Sequence, residues 1–160
     1  TLEKAGDEIF ARAVALQNLE NETTAKEADA RYVMQLGEIR AKYGSLQGEQ
    51  AVRAYPQFIR EAQLLRQQHR RALPNDMSRK LFDGPSLQFM SRTVFSGAGH
   101  AATENRQWAE GASLARIEAV RRYASENPED EDALAGAIAT TRAEVQSLGR
   151  GRGQHPVRSK

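Results

Sequence analysis

The chain has 160 residues, of which 39% are hydrophobic, 6% aromatic and 28% charged, with no cysteine and a formal net charge of +2. A mean hydropathy of −0.68 fits long helices with one apolar seam rather than a thick globular core, and the length suits one domain. Disulfide stapling and cysteine-based metal or redox chemistry are excluded, and no apolar run approaches the ~20 residues a helix needs to cross a bilayer.

The charge is unevenly placed. Arg150, Arg152, Arg158 and Lys160 lie between Gly149 and Lys160 with no acid among them, which leaves the remainder with a small excess of Asp and Glu. That body carries too little basic surface to grip duplex nucleic acid.

In chain order, only Gly37 disfavours a helix between Asp7 and about Lys42. Ala25, Ala28, Tyr32, Leu36, Ile39 and Tyr43 step by threes and fours, which is a heptad seam. Ile9, Phe10, Ala13, Leu16 and Leu19 form a second apolar patch, set apart by the polar run ENETTAKE from Glu20 to Glu27. One helix of about 35 residues, roughly 50 Å long, is predicted. Gly44 to Gln50 reads as a C-cap and a link. A second helix then carries Ala51, Tyr55, Phe58, Ala62, Leu65, His69 and Ala72 on one face, with Pro56 tolerated near its start. The matching spacings predict an antiparallel αα-hairpin.

LPNDMSRKLFDGPS, from Leu73 to Ser86, holds two prolines and a glycine and is predicted to be a connector with one helical turn at Met77 to Phe82. Ser86 is placed to cap the next helix. That third helix is expected to turn Leu87, Met90, Val94, Gly97, Ala101, Glu104 or Asn105, Trp108, Ala112, Ala115, Ala119 and Tyr123 inward. Helix-interior glycines cost about 1 kcal/mol each, so SGAGHAAT at its midpoint implies a compensating gain. Gly97 and Ala101, four apart, predict the close approach of another helix, of the same chain or of an adjacent subunit; the alternative is a hinge at Gly97 and Gly99. ENPEDED ends the third helix, and a short, weakly apolar fourth runs from about Glu131 to Leu148 with acids at its N-terminus. The expected fold is therefore all-α, elongated and oligomer-forming. An antiparallel αα-hairpin and a third long helix make a helical assembly domain over 1–148, and 149–160 form a flexible basic tail or linker.

Signals for chemistry are weak. His100 and Glu104 share a helix face at the spacing of a metal pair or an acid/base couple, but one His and one Glu are too few for a site. His69 sits on the seam and His155 in the tail, neither with an evident partner. DGPS and SGAG lack the spacing of a phosphate-binding loop and any preceding strand, and no nucleophile elbow or His-Glu-x-x-His motif occurs. Two basic clusters, Arg66 to Arg71 and Arg121 to Tyr123, read either as a solvated face or interchain salt bridges, or as contacts to nucleic acid or anionic lipid. In the tail, Arg150 and Arg152 resemble the arginine-glycine segments that hold nucleic acid loosely. No catalytic residue, metal site or cofactor is expected.

Two stretches together resemble a known family: LENETTAKEADARYVMQLGEIRAKYGSLQGEQAVRAYPQFI and MSRKLFDGPSLQFMSRTVFSGAGHAATENRQWAEGASLARIE. Gly48, Ala51, Val52, Ala54 and Pro56, then Arg79, Phe82 and Asp83, then His100, Ala101, Ala102 and Trp108, are similar to elements of the internal virion, or ejection, proteins of short-tailed bacteriophages and related prophages. The similarity covers roughly Ala15 to Glu118. It implies a structural protein held inside the head or at the portal, which leaves with the genome and assembles as a ring or tube across the host cell envelope. The implied partners are further copies of the chain, other ejection proteins, portal or tail proteins, phage DNA and the host envelope. No enzymatic activity is expected of this chain. Gly97, Ala101, Trp108, Tyr55, Phe58 and Leu65 are the expected assembly interface. The alternative is a helical nucleic-acid-binding module or an accessory to a peptidoglycan hydrolase, which would need a basic, ordered tail.

Overall fold

The computed structural model describes residues 1–152, with side chains through 150, and these residues are all-α without a strand. Four helices follow one another: α1 (Leu2–Gly44), α2 (Gly48–Arg71), α3 (Asp76–Glu126) and α4 (Glu131–Arg152). Contacts group the described residues into two compact units, one over 1–101 and the other from 102 onward, with α3 contributing to both.

In the first unit α1, α2 and the front half of α3 form a helical bundle. Tyr43 Oη donates to the carbonyl of Ala51 at 2.8 Å and Tyr32 Oη to that of Ala62 at 3.1 Å, both from α1 to α2. Arg66 and Tyr55 of α2 reach Ser86 and Val94 of α3. Ala25, Ala28, Tyr32, Leu36, Ala62, Leu73 and Phe82 make the core, with Ile39, Leu65, Phe89, Met90 and Val94 packed against it. Burying a side chain the size of Leu36 or Phe82 contributes about 1.5–3 kcal/mol. Three alanines keep the helices close, and the aromatic rings fill the space they leave.

Gly48, the first residue of α2, has φ of +58°. An L side chain there would meet the carbonyl clash of the left-handed region, which costs about 1–2 kcal/mol, and glycine lets the chain reverse within Ser45, Leu46 and Gln47. Gly44, read as the cap, instead lies within α1.

The expected connector from Leu73 to Ser86 shrinks to four residues, because α3 begins at Asp76 and runs through Pro85. Asn75 caps it: the Ser78 amide donates to Asn75 Oδ1 at 2.9 Å, and Ser78 Oγ returns a bond to the Asn75 carbonyl at 2.8 Å. This closes the first turn reciprocally, as a capping box does. Pro85 is tolerated because it lies on the exposed face, where the carbonyl it displaces can turn to solvent, and because Gly84 before it has no Cβ to clash with the proline ring. Ser86 is therefore no cap. It is fully buried inside α3 and accepts a bond from Arg66 Nε at 2.9 Å.

In the second unit α4 packs on the rear of α3. Asp130 caps α4, its Oδ1 accepting from the Ala133 amide at 3.0 Å. Arg116 of α3 and Glu144 of α4 pair at 3.5 Å, and Ala137 is buried between the helices. The inward face of rear α3 is Ser113, Ile117, Val120 and Ala124, not the expected Trp108, Ala112, Ala115, Ala119 and Tyr123. One helix here serves two cores, so the seam phase of the first does not carry into the second. α4 continues to Arg152 rather than stopping at Leu148, so 149–152 are helix instead of tail. The tail reading for 153–160, His155 included, lies outside the described residues.

A Cβ on Gly97 would fall 2.6 Å from Phe58 Cε1 and 3.4 Å from Tyr55 Cε2, whereas one on Gly99 would meet nothing within 4 Å. Gly97→Ala is therefore expected to cost about 1–3 kcal/mol by overpacking. Gly99→Ala should be neutral or stabilise by about 0.4–1 kcal/mol. Urea unfolding of the two variants checks both.

Candidate assembly surfaces

Tyr32 is fully buried and presents ring edges to His69, Phe82 and Phe89 at centroid separations of 6.0–6.5 Å. Burial pushes its hydroxyl up to about 12, so it stays a neutral donor to Ala62. Near the α1–α2 link, Tyr43 stacks on Phe58 at 4.7 Å and meets the edge of His100 at 5.4 Å. His100 Nε2 lies 2.9 Å from the Leu46 carbonyl. A carbonyl can only accept, so this nitrogen carries the proton and His100 acts as a strut for the link. Among the described residues no group of three His, Cys, Asp or Glu side chains could hold a metal ion.

The cluster from Arg66 to Arg71 is partly internal. Arg70 grips Asp83 with Nε to Oδ1 at 2.8 Å and Nη2 to Oδ2 at 3.2 Å, while Arg66 reaches Oδ1 at 3.3 Å and the Asp83 carbonyl at 3.1 Å. Two guanidiniums on one carboxylate hold α2 against α3, and the bidentate geometry fixes their register. Both cations are thereby engaged within the chain.

Three of the residues expected at an assembly interface, Gly97, Phe58 and Tyr55, instead fill each other's space inside the first unit. Small residues do mark a close helix approach, but the helix that approaches is α2 of the same chain. Leu65 packs on the same core and Ala101 is half-buried. Trp108, in the second unit, is 44% exposed and anchors no described seam. Arg150 is exposed near the end of α4, and the side chain of Arg152 lies outside those described.

What the chain leaves uncovered lies elsewhere. On α1, Leu2, Ile9, Phe10 and Leu16 are 95%, 70%, 71% and 59% exposed. In the second unit Leu134, Ile138 and Val145 of α4 stand beside Ala124, Arg121 and Arg142 along an open groove of about 740 Å³. Monomeric proteins rarely expose contiguous apolar patches above a few hundred Å², and larger ones mark interaction sites. The sequence signalled the first patch through Ile9, Phe10, Ala13 and Leu16. It signalled the groove only through the i, i+4, i+11 spacing on a helix that reads as weakly apolar. No helix among the described residues is long and apolar enough to cross a membrane.

No family model, curated protein or solved structure matches this chain.

Two titratable groups carry opposite pH signatures. Burial holds the His69 imidazole below its ordinary value, helped by the Arg31 charge, and its Nε2 lies 2.7 Å from Gln35 Oε1. The folded state then binds fewer protons than the unfolded state, so stability falls as pH drops through about 6.5. His69→Gln should flatten the urea midpoint between pH 7 and 5. Asp29 is the reverse: its Oδ1 is buried without a hydrogen bond, and burial raises its carboxyl above 3.8. Its cost is absent below the unfolded value and appears as pH rises through the folded one. Asp29→Leu should therefore raise the urea midpoint at pH 7, and that gain should shrink toward pH 3.

Proposed function

We propose that this chain is a structural, non-enzymatic assembly protein of the phage ejection type. In this reading it is stored in the virion and builds, from copies of itself, a ring or tube for genome delivery across the host cell envelope. The observation that carries the reading is the division of labour along the chain. The first unit closes its own interior, while α1 before Asn21 and the α3–α4 face keep large apolar side chains in solvent. A self-contained domain has no use for such faces, and an assembly protein needs them.

The residues that carry the family resemblance support it further. Gly48 sets the chain reversal, Phe82 is fully buried, Asp83 is gripped by two arginines and His100 props the link. They behave as the packing signatures of a scaffold. The antiparallel αα-hairpin of α1 and α2, closed by α3, is the rigid body that the assembly would repeat. Further copies are the primary partners, with other ejection proteins, portal or tail proteins, DNA and the envelope as later ones. Because Arg66 and Arg70 are spent on Asp83, the Arg66–Arg71 cluster favours a nucleic-acid module less than it did in the sequence.

Electron microscopy of the purified chain across a concentration series tests this. The expected result is a ring or tube whose lumen admits duplex DNA and which releases dye from vesicles. A chain that stays monomeric, or one that forms a lumenless complex only when nucleic acid is added, would overturn the reading.

A further inference from the structure

We propose that assembly is head-to-tail: the N-terminal stripe of α1 in one copy, Leu2, Ile9 and Leu16, docks into the α3–α4 groove of a second copy, against Leu134, Ile138 and Val145. The proposal deepens the assembly reading and rests on it.

The stripe is a strict heptad, with Gly6 and Ala13 spaced between the larger residues, so it offers ridges with gaps between them along one face. It runs about 21 Å at 1.5 Å per residue, and the α4 side of the groove, from Leu134 to Val145, runs about 16 Å. Among the described residues both surfaces are exposed to solvent.

Charge selects the pairing. The first twenty residues carry four acids, Glu3, Asp7, Glu8 and Glu20, against Lys4 and Arg12. Glu20 lies one turn beyond Leu16 on the stripe, with Glu3 on one flank and Arg12 on the other. The groove is lined by Arg121 and Arg142 and by no acid. Neither arginine makes an ion pair among the described residues. A segment with this acidic excess repels another copy of itself and an anionic lipid surface alike, whereas the arginine-lined groove attracts it. Because the two patches differ, the contact is heterologous, and repeating it generates a ring if the rotation closes or a filament if it does not.

The test uses two full-length variants. Ile9→Glu/Leu16→Glu spoils the stripe and leaves the groove; Ile138→Glu/Val145→Glu spoils the groove and leaves the stripe. All four positions are exposed in the single chain, so circular dichroism and thermal melting should match wild type. In sedimentation velocity each variant alone is expected to be monomeric at concentrations where wild type oligomerises, a weakening of at least about thirtyfold. Mixed together, they should give a heterodimer and nothing larger, because one good stripe then meets one good groove. Arg121→Glu/Arg142→Glu should dissociate the assembly, and Glu3→Arg/Glu20→Arg added to the same chain should restore it.

A groove variant that still self-associates would mean stripe-to-stripe pairing, and a stripe variant that does so would mean groove-to-groove pairing. Either result overturns the proposal, as do a mixture that stays monomeric and a stripe whose main ligand is an anionic vesicle. If wild type oligomerises but the mixture does not complement, the docking is wrong and the assembly reading survives. If the mixture complements but micrographs show no lumen, the docking holds and the conduit falls.

Discussion

One side chain, Tyr32, sets the spacing of the first unit. It is fully buried on α1, donates to the Ala62 carbonyl of α2, and turns ring edges toward His69 of α2 and toward Phe82 and Phe89 of α3. A buried hydroxyl must find an acceptor or cost about 1–3 kcal/mol. The ring can therefore sit at only one depth, and the helices arrange themselves around it. Ala25, Ala28 and Ala62 leave that room, and Leu36 and Leu73 seal its ends.

Polar contacts then select one register from those the heptads allow. Asn75 both caps α3 and donates to Asn21 at 2.8 Å, and Arg40 reaches Ser96 at 3.1 Å toward the opposite end of the bundle. Between them, Asp83 collects Arg66 and Arg70. Sliding α3 by one turn would take Asp83 from both arginines and Asn75 from Asn21, and unmet hydrogen-bonding groups are more costly than mismatched apolar packing. Asp29 is the exception, a buried carboxyl oxygen without a bond beside the same core.

Much of this was legible in the sequence, for physical reasons. The seam from Ala25 to Tyr43 and its counterpart from Ala51 to His69 follow from spacing alone, and the residues that spacing selects include the buried Tyr32, Leu36, Phe58 and Ala62. The glycine at position 97 announced a tight approach, although not the identity of its neighbour. Pro85 misled because proline breaks helices on average, while here it occupies an exposed face after a glycine. Trp108 misled because a large aromatic draws a seam toward itself, whereas rear α3 packs through Ser113, Ile117, Val120 and Ala124. The α3–α4 groove was hidden because alanines dilute the hydrophobicity of α4.

The chain thus separates a bundle that satisfies itself from surfaces that do not. The most direct measurement of that separation is hydrogen exchange on the intact chain, followed from dilute to concentrated solution, since backbone protection reports local opening region by region. The account predicts that amides around Tyr32, Ala62 and Phe82 are slow at every concentration. Those of residues 2–19 and 134–145 should slow together only as the chain assembles. Protection that changes with concentration in the Tyr32 core, or stays constant in both outer segments, would contradict it.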